Sequence, residues 1–158
     1  MAKKLEDMFD DLNTTQTFTT FGEKMVNRII ERTQKGLDVF GKKFKQYSKS
    51  YYEKKKEGKF KRQADQFRPS SRSDVNLTLT TDMLNSLQVK EVTSKDVTVG
   101  FPSQEAIKAN ANEVQGRVIS STKRPVSKDD EKFIADFFDK QILKAMKEAS
   151  GKTEIIIG

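Results

Sequence analysis

Between Gly41 and Arg72 the chain places twelve Lys or Arg against three Asp or Glu, a local charge of +9 within a net +7 for all 158 residues. Aromatic residues run through this segment at intervals of three and four, Phe44, Tyr47 and Tyr51, with Tyr52, Phe60 and Phe67 beyond them. Cations interleaved with rings suit nucleic-acid binding: ammonium and guanidinium groups contact phosphates, rings stack on bases, and affinity falls steeply with salt. The same spacing has a plainer meaning. Phe44, Tyr47 and Tyr51 share one helical face and pack on protein, while the lysines form a solvated face or meet an acidic partner. With no recognised nucleic-acid motif in the segment, the second meaning is favoured, and the two are compatible. The residues expected to face a partner or DNA are Lys54, Lys55, Lys56, Lys59, Lys61, Arg62, Arg68 and Arg72.

Other chemistries find little support. The chain has no His and no Cys, which removes Ser-His-Asp, Cys-His and His-Glu zinc sites together with any disulfide framework. A serine nucleophile would need a lysine base, and no serine here sits in an elbow-like setting. The carboxylate pairs Asp10-Asp11 and Asp129-Asp130 fall near predicted helix ends, where they complement the dipole or face water. Gly36 and Gly41 lack the context of a phosphate loop. A binding or structural protein is expected rather than an enzyme, with no cofactor and no metal. No apolar run approaches the roughly 20 residues of a membrane span, and the first residues lack the apolar core of a signal peptide; no membrane association is expected.

The elements that must position the basic segment form an α+β pattern. Hydrophobic content of 34% against 34% charged residues is lean for one compact domain of this length, so surfaces completed by neighbouring subunits are expected. Residues 1–19 read as an N-terminal arm with a short helix at 3–12, on which Leu5, Met8, Phe9 and Leu12 share a face. Residues 20–158 read as a single domain. Its first long helix, about 20–35, opens on a Thr20–Glu23 capping box, carries Phe21, Met25, Ile29 and Ile30, and stops at Gly36. Ser48 caps a short helix, and 58–74 is a mobile basic loop. Period-two patterns predict strands near 75–79, 87–93 and 96–101, the last two as a hairpin around Ser94-Lys95-Asp96. One helical turn, at residues 80–87, is expected between the first strand and that hairpin. Pro102-Ser103 opens a helix ended by Gly116, residues 117–121 look extended, and Pro125 makes a bend. Ser127 caps a long helix over about 127–149, with Phe133, Ile134, Phe137, Phe138, Ile142, Leu143 and Met146 on its apolar side. Residues 153–157 are a candidate terminal strand. The expected fold is thus a small antiparallel sheet packed against two longer helices.

The order of several short motifs resembles the tail-completion and neck proteins of the virion morphogenesis and HK97-type head-tail family. These motifs span about Phe21 to Leu143. They are a first helix ending Ile30-Glu-Arg-Thr-Gln-Lys-Gly36, then a glycine, aromatic, Tyr-Ser and Tyr pattern at Gly41, Phe44, Tyr47, Ser48 and Tyr51. Leu77 to Leu87, Val97-Thr-Val-Gly100, Ala111 to Arg117 with Gly116, and Lys123-Arg124-Pro125 before a capped helix follow in order. The chain departs from the pattern at Val126, where an aromatic is common, and in lacking a His near Gln115. The resemblance implies a structural virion protein of a tailed phage that forms a homo-oligomeric ring, commonly six-fold, at the head-tail junction. It implies docking to tail terminator, tail tube or head-connector proteins, with non-specific contact to DNA in the lumen. It further implies localisation to the virion after synthesis in the host cytoplasm, and structural roles for Gly41, Phe44, Tyr47, Ser48, Tyr51, Gly116, Arg124 and Pro125. The alternative is a free basic protein that binds nucleic acid without sequence preference.

Overall fold

The structure, a computed structural model, describes residues 14–61, 63, 65–77, 82–121 and 123–151. The short helix expected at 3–12 and the strand expected at 153–157 lie outside these residues.

Helix α1 spans Thr14–Gln34 and starts six residues before the predicted position. Thr14, Thr15, Thr17, Thr19 and Thr20 are weak helix formers, but Phe18 and Phe21 stack on Phe138 at centroid distances of 5.4 and 5.1 Å. That aromatic burial outweighs local propensity. Thr20 is therefore a helix-interior residue, and no capping box forms there. At the other end, Leu37 N–H donates to Arg32 O (3.1 Å) and Gly36 N–H to Thr33 O (3.0 Å), closing the helix as a Schellman motif. Gly36 has φ +75°, and a Cβ added to it would sit 2.9 Å from Val75 O, so only glycine fits.

Helix α2, Lys49–Lys56, is capped by Ser48, whose Oγ accepts from Tyr51 N–H at 3.3 Å. A 3-10 turn at Asp65–Phe67 and a single turn α3, Asp82–Asn85, lead to a hairpin of β1, Gln88–Val92, and β2, Val97–Gly100. The strands pair antiparallel with a bulge between Val89 and Glu91, and Thr93 Oγ1 accepts from Lys95 and Asp96 N–H in the turn. Helix α4, Ser103–Val114, ends at Gly116 with the same double hydrogen bond that ends α1. Helix α5, Lys128–Gly151, is the longest element.

The class is α+β, with a small antiparallel sheet packed against helices. Among the described residues the sheet has two strands. Residues 75–77, expected to begin a strand, do not form one: Leu77 has φ +51°, outside the β region, and Val75 N–H turns back to Ser73 O. Residues 117–121 are not a strand either. Their carbonyls serve other partners, with Val118 O accepting from Val39 N–H (2.9 Å) and Ile119 O from the Arg32 guanidinium (2.7 Å).

The core is divided. Phe21, Met25 and Phe137 join α1 to α5 and the hairpin, aided by Val97 and Val99. Met83, Leu84 and Ile119 gather under Ile29 and Ile30, while Phe44, Tyr47 and Val75 form a third cluster. Leu77 touches both of the latter clusters. Gly22 lets α1 approach the hairpin: a Cβ there would come within 2.7 Å of Val97 Cγ2 and 2.8 Å of Val89 Cγ2.

Candidate functional site: a basic groove over a buried lysine

The site begins with how Gly36 to Ser48 is held. Asp38 Oδ1 accepts from Phe40 and Lys42 N–H at 2.9 and 2.7 Å, which folds the loop back so that Phe44 N–H reaches Gly36 O (2.8 Å). Gly41 turns this loop at φ +76°. Phe44 and Tyr47 then drop into the core beside Val75, and Ser48 caps α2. Arg72 Nε donates to Tyr47 O, and Tyr47 N–H donates to Arg72 O, both at 3.0 Å, so the far end of the basic loop is tied to the motif.

Lys55 is the main correction to the expected surface. It is only 1% exposed, and its Nζ donates to Tyr47 Oη and to Asn76 Oδ1, each at 2.9 Å. A helical period explains this, because Tyr51 and Lys55 share the inward face of α2 while Lys54 and Lys56 point out. Burial lowers the Lys55 pKa to about 8, with Asp74 opposing and Arg117 adding to the shift. Burial, then the neighbouring Tyr51, raises the Tyr47 phenol above its ordinary value. Burial likewise raises Tyr51.

Arg117 closes the arrangement from the opposite side. Its Cζ lies 5.2 Å from the Tyr47 ring centroid, its Nε and Nη2 donate to Lys45 O (3.1 Å) and Gln46 O (3.3 Å), and Nη1 donates to Gln115 Oε1. One arginine after the Gly116 turn thus pins the end of α4 to the strand of chain before Ser48.

Between these parts opens a groove of about 1050 Å³. Lys45, Lys61, Arg72, Lys108 and Arg117 line it against one carboxylate, Asp82, and its apolar wall includes Leu77, Met83 and Val114. Val114 is 89% exposed. Lys108 pairs with Glu105 at 2.6 Å, whereas Arg72 and Arg117 donate to uncharged oxygens.

Of the expected partner-facing residues, Lys61 and Arg72 reach this groove. Lys54, Lys56, Lys59 and Arg68 are exposed elsewhere, with Lys56 near the Tyr52 ring, Lys59 paired to Glu57 and Arg68 paired to Asp65. Arg62 lies outside the described residues. Lys45, Lys108 and Arg117 line the groove in addition to the residues expected to face a partner; Lys45 belongs to the charge run, but nothing in the sequence joins Lys108 and Arg117 to residues some sixty positions earlier. Three of the rings pack on one another, Tyr47 on Tyr51 at 4.9 Å and Tyr51 on Phe60 at 5.0 Å, with Tyr47 and Tyr51 lining the groove.

A second polar cluster is structural. Asp130 is buried, not water-facing, and accepts from Arg28 Nε (3.0 Å), Ser127 Oγ (2.6 Å) and the Arg32 guanidinium. Burial pushes its pKa up, but the hydrogen bonds from Ser127 and Arg28 and the charge of Arg32 outweigh that and leave it below the ordinary value. Burial is also what lowers Arg32. Arg124 pairs with Glu131 at 3.1 Å, and Pro125 O accepts from Ser120 Oγ, so both residues of that motif shape the entry to α5.

No known protein family, curated protein or solved structure matches this chain. The geometry supports docking of an anionic, partly apolar surface. Lys55 is buried, and Ser48 uses its hydroxyl as a helix cap.

Proposed function

We propose that this chain is a structural subunit of a tailed-phage particle, a tail-completion or neck protein that assembles as a ring at the head-tail junction and docks terminator, tube or connector proteins. The observation that carries this reading is the placement of large apolar side chains in water. Ile107 (69% exposed) and Val114 stand exposed on α4, and Leu143 (57%) on α5. A chain with a lean, divided core that still leaves these side chains uncovered is suited to burial by neighbouring subunits. The motif residues behind the resemblance support it too, since Phe44, Tyr47, Ser48 and Gly116 position the groove and α4.

Sedimentation velocity combined with negative-stain imaging tests the reading. A closed ring, alone or on addition of a tail or connector protein, is the expected result; a monomer that engages none of them would overturn it. The cations of the groove favour a second reading, a free protein that binds nucleic acid without sequence preference. Tight DNA binding by a monomer, falling steeply between low and moderate salt, would select that alternative.

A further inference from the structure

We infer that the basic groove receives the N-terminal arm, residues 1–13, of a second copy of this chain. This rests on the ring reading above and names the contact that would link one subunit to the next.

Three features lead to it. The groove combines cations with an apolar wall, Lys45, Lys61 and Arg72 facing Leu77, Met83 and Val114. A phosphate backbone would satisfy the cations and leave that wall in water, and the two rings that line the groove, Tyr47 and Tyr51, are packed against each other. The fitting occupant is an amphipathic acidic segment. The arm has that composition: Leu5, Met8, Phe9 and Leu12 recur at helical spacing, and Glu6, Asp7, Asp10 and Asp11 fall between them against Lys3 and Lys4, a side-chain charge of −2.

Reach then favours a neighbour over the same chain. The arm joins α1 at Thr14, beside the cluster of Phe18 and Phe138. The groove lies towards the opposite end, where Gly36 leads through Phe44 to Tyr47. The near wall of the groove, Met83 and Leu84, packs under Ile29 and Ile30, about 22 Å along α1 from Thr14, whereas thirteen residues in a helix extend about 20 Å. An arm read as helical ends at the near edge of its own groove and does not span it. Arm and groove are also different surfaces, so their contact is head-to-tail, the type of interface that closes rings.

Charge exchange in the full-length protein tests this. One variant reverses the groove with Lys45→Glu and Lys61→Glu; another reverses the arm with Asp7→Lys, Asp10→Lys and Asp11→Lys. Circular dichroism and thermal melting confirm that each folds. Each alone should shift the sedimenting species from ring to single chain, and mixing the two should restore assembly, because each supplies the complement the other needs. Restoration only when both reversals share one chain would mean that the arm folds back on its own groove and would overturn docking between copies. Unaltered assembly in both variants would overturn arm docking while leaving the ring reading in place. A wild-type chain that never assembles, alone or with tail or connector proteins, would overturn both. Loss of DNA binding without loss of assembly in the groove variant would assign the groove to nucleic acid instead.

Discussion

Lys55 shows how far a single side chain can depart from its neighbours. It sits in a run of three lysines, yet only it faces inward, held by Tyr47 and Asn76. Its folded pKa of about 8 lies below the ordinary 10.5. Between those values the unfolded chain keeps a proton that the folded chain has released, so stability rises with pH across that window. Tyr47 acts in the opposite sense above about pH 10, where an unfolded tyrosine ionises and the folded one does not. With no His or Cys in the chain, few other side chains titrate here. Urea unfolding should therefore show stability rising by about 2 kcal/mol from pH 7 to 9.5, and Lys55→Met should abolish the rise. A flat wild-type profile would mean that the amine is hydrated.

At the scale of elements, the contact of α1 with the hairpin depends on one missing side chain. Gly22→Ala would gain about 1 kcal/mol of helix propensity. It would also drive a methyl into Val89 and Val97, whose β-branched side chains have little freedom to turn away, at a cost of about 1–3 kcal/mol. A net loss is expected in the melting temperature. Val97→Ala, itself destabilising, should lower the cost of Gly22→Ala without removing it, because Val89 Cγ2 still lies 2.8 Å from the added methyl, and additive losses in the double variant would show that Gly22 and Val97 do not touch. Much of the element order was legible in the sequence. Ser48, Gly36, Gly116 and Ser127 mark helix ends by local hydrogen bonding, so local residues suffice to locate them. The start of α1 was not legible, because burial of Phe18 against residues 120 positions away decides it. The alternation at residues 75–77 does not make a strand; Leu77 partly buries its side chain, but from a left-handed backbone that ends any ladder.

For the whole molecule, the exposed apolar residues carry the assembly prediction. Ile107→Gln with Leu143→Gln should leave the monomer's stability within about 0.5 kcal/mol, since neither side chain is buried in the single chain. The same pair should shift the sedimenting species towards monomer by removing apolar area from the subunit contact. Unchanged assembly would place the interface elsewhere.

Local pattern was enough for the α+β class, the stops at Gly36 and Gly116, the caps at Ser48 and Ser127, the hairpin, and a positive charge gathered in one segment. These follow from period, capping chemistry and composition, which act over a few residues. Long-range packing settles which charges stay in water and which converge. It buried Lys55, spent Arg117 on carbonyls beside Tyr47, buried Asp130 between Arg28 and Arg32, and brought Lys108 across from Lys45 to form the groove. The reason is that burial and convergence depend on distances between residues far apart in the chain, and no periodicity records those distances.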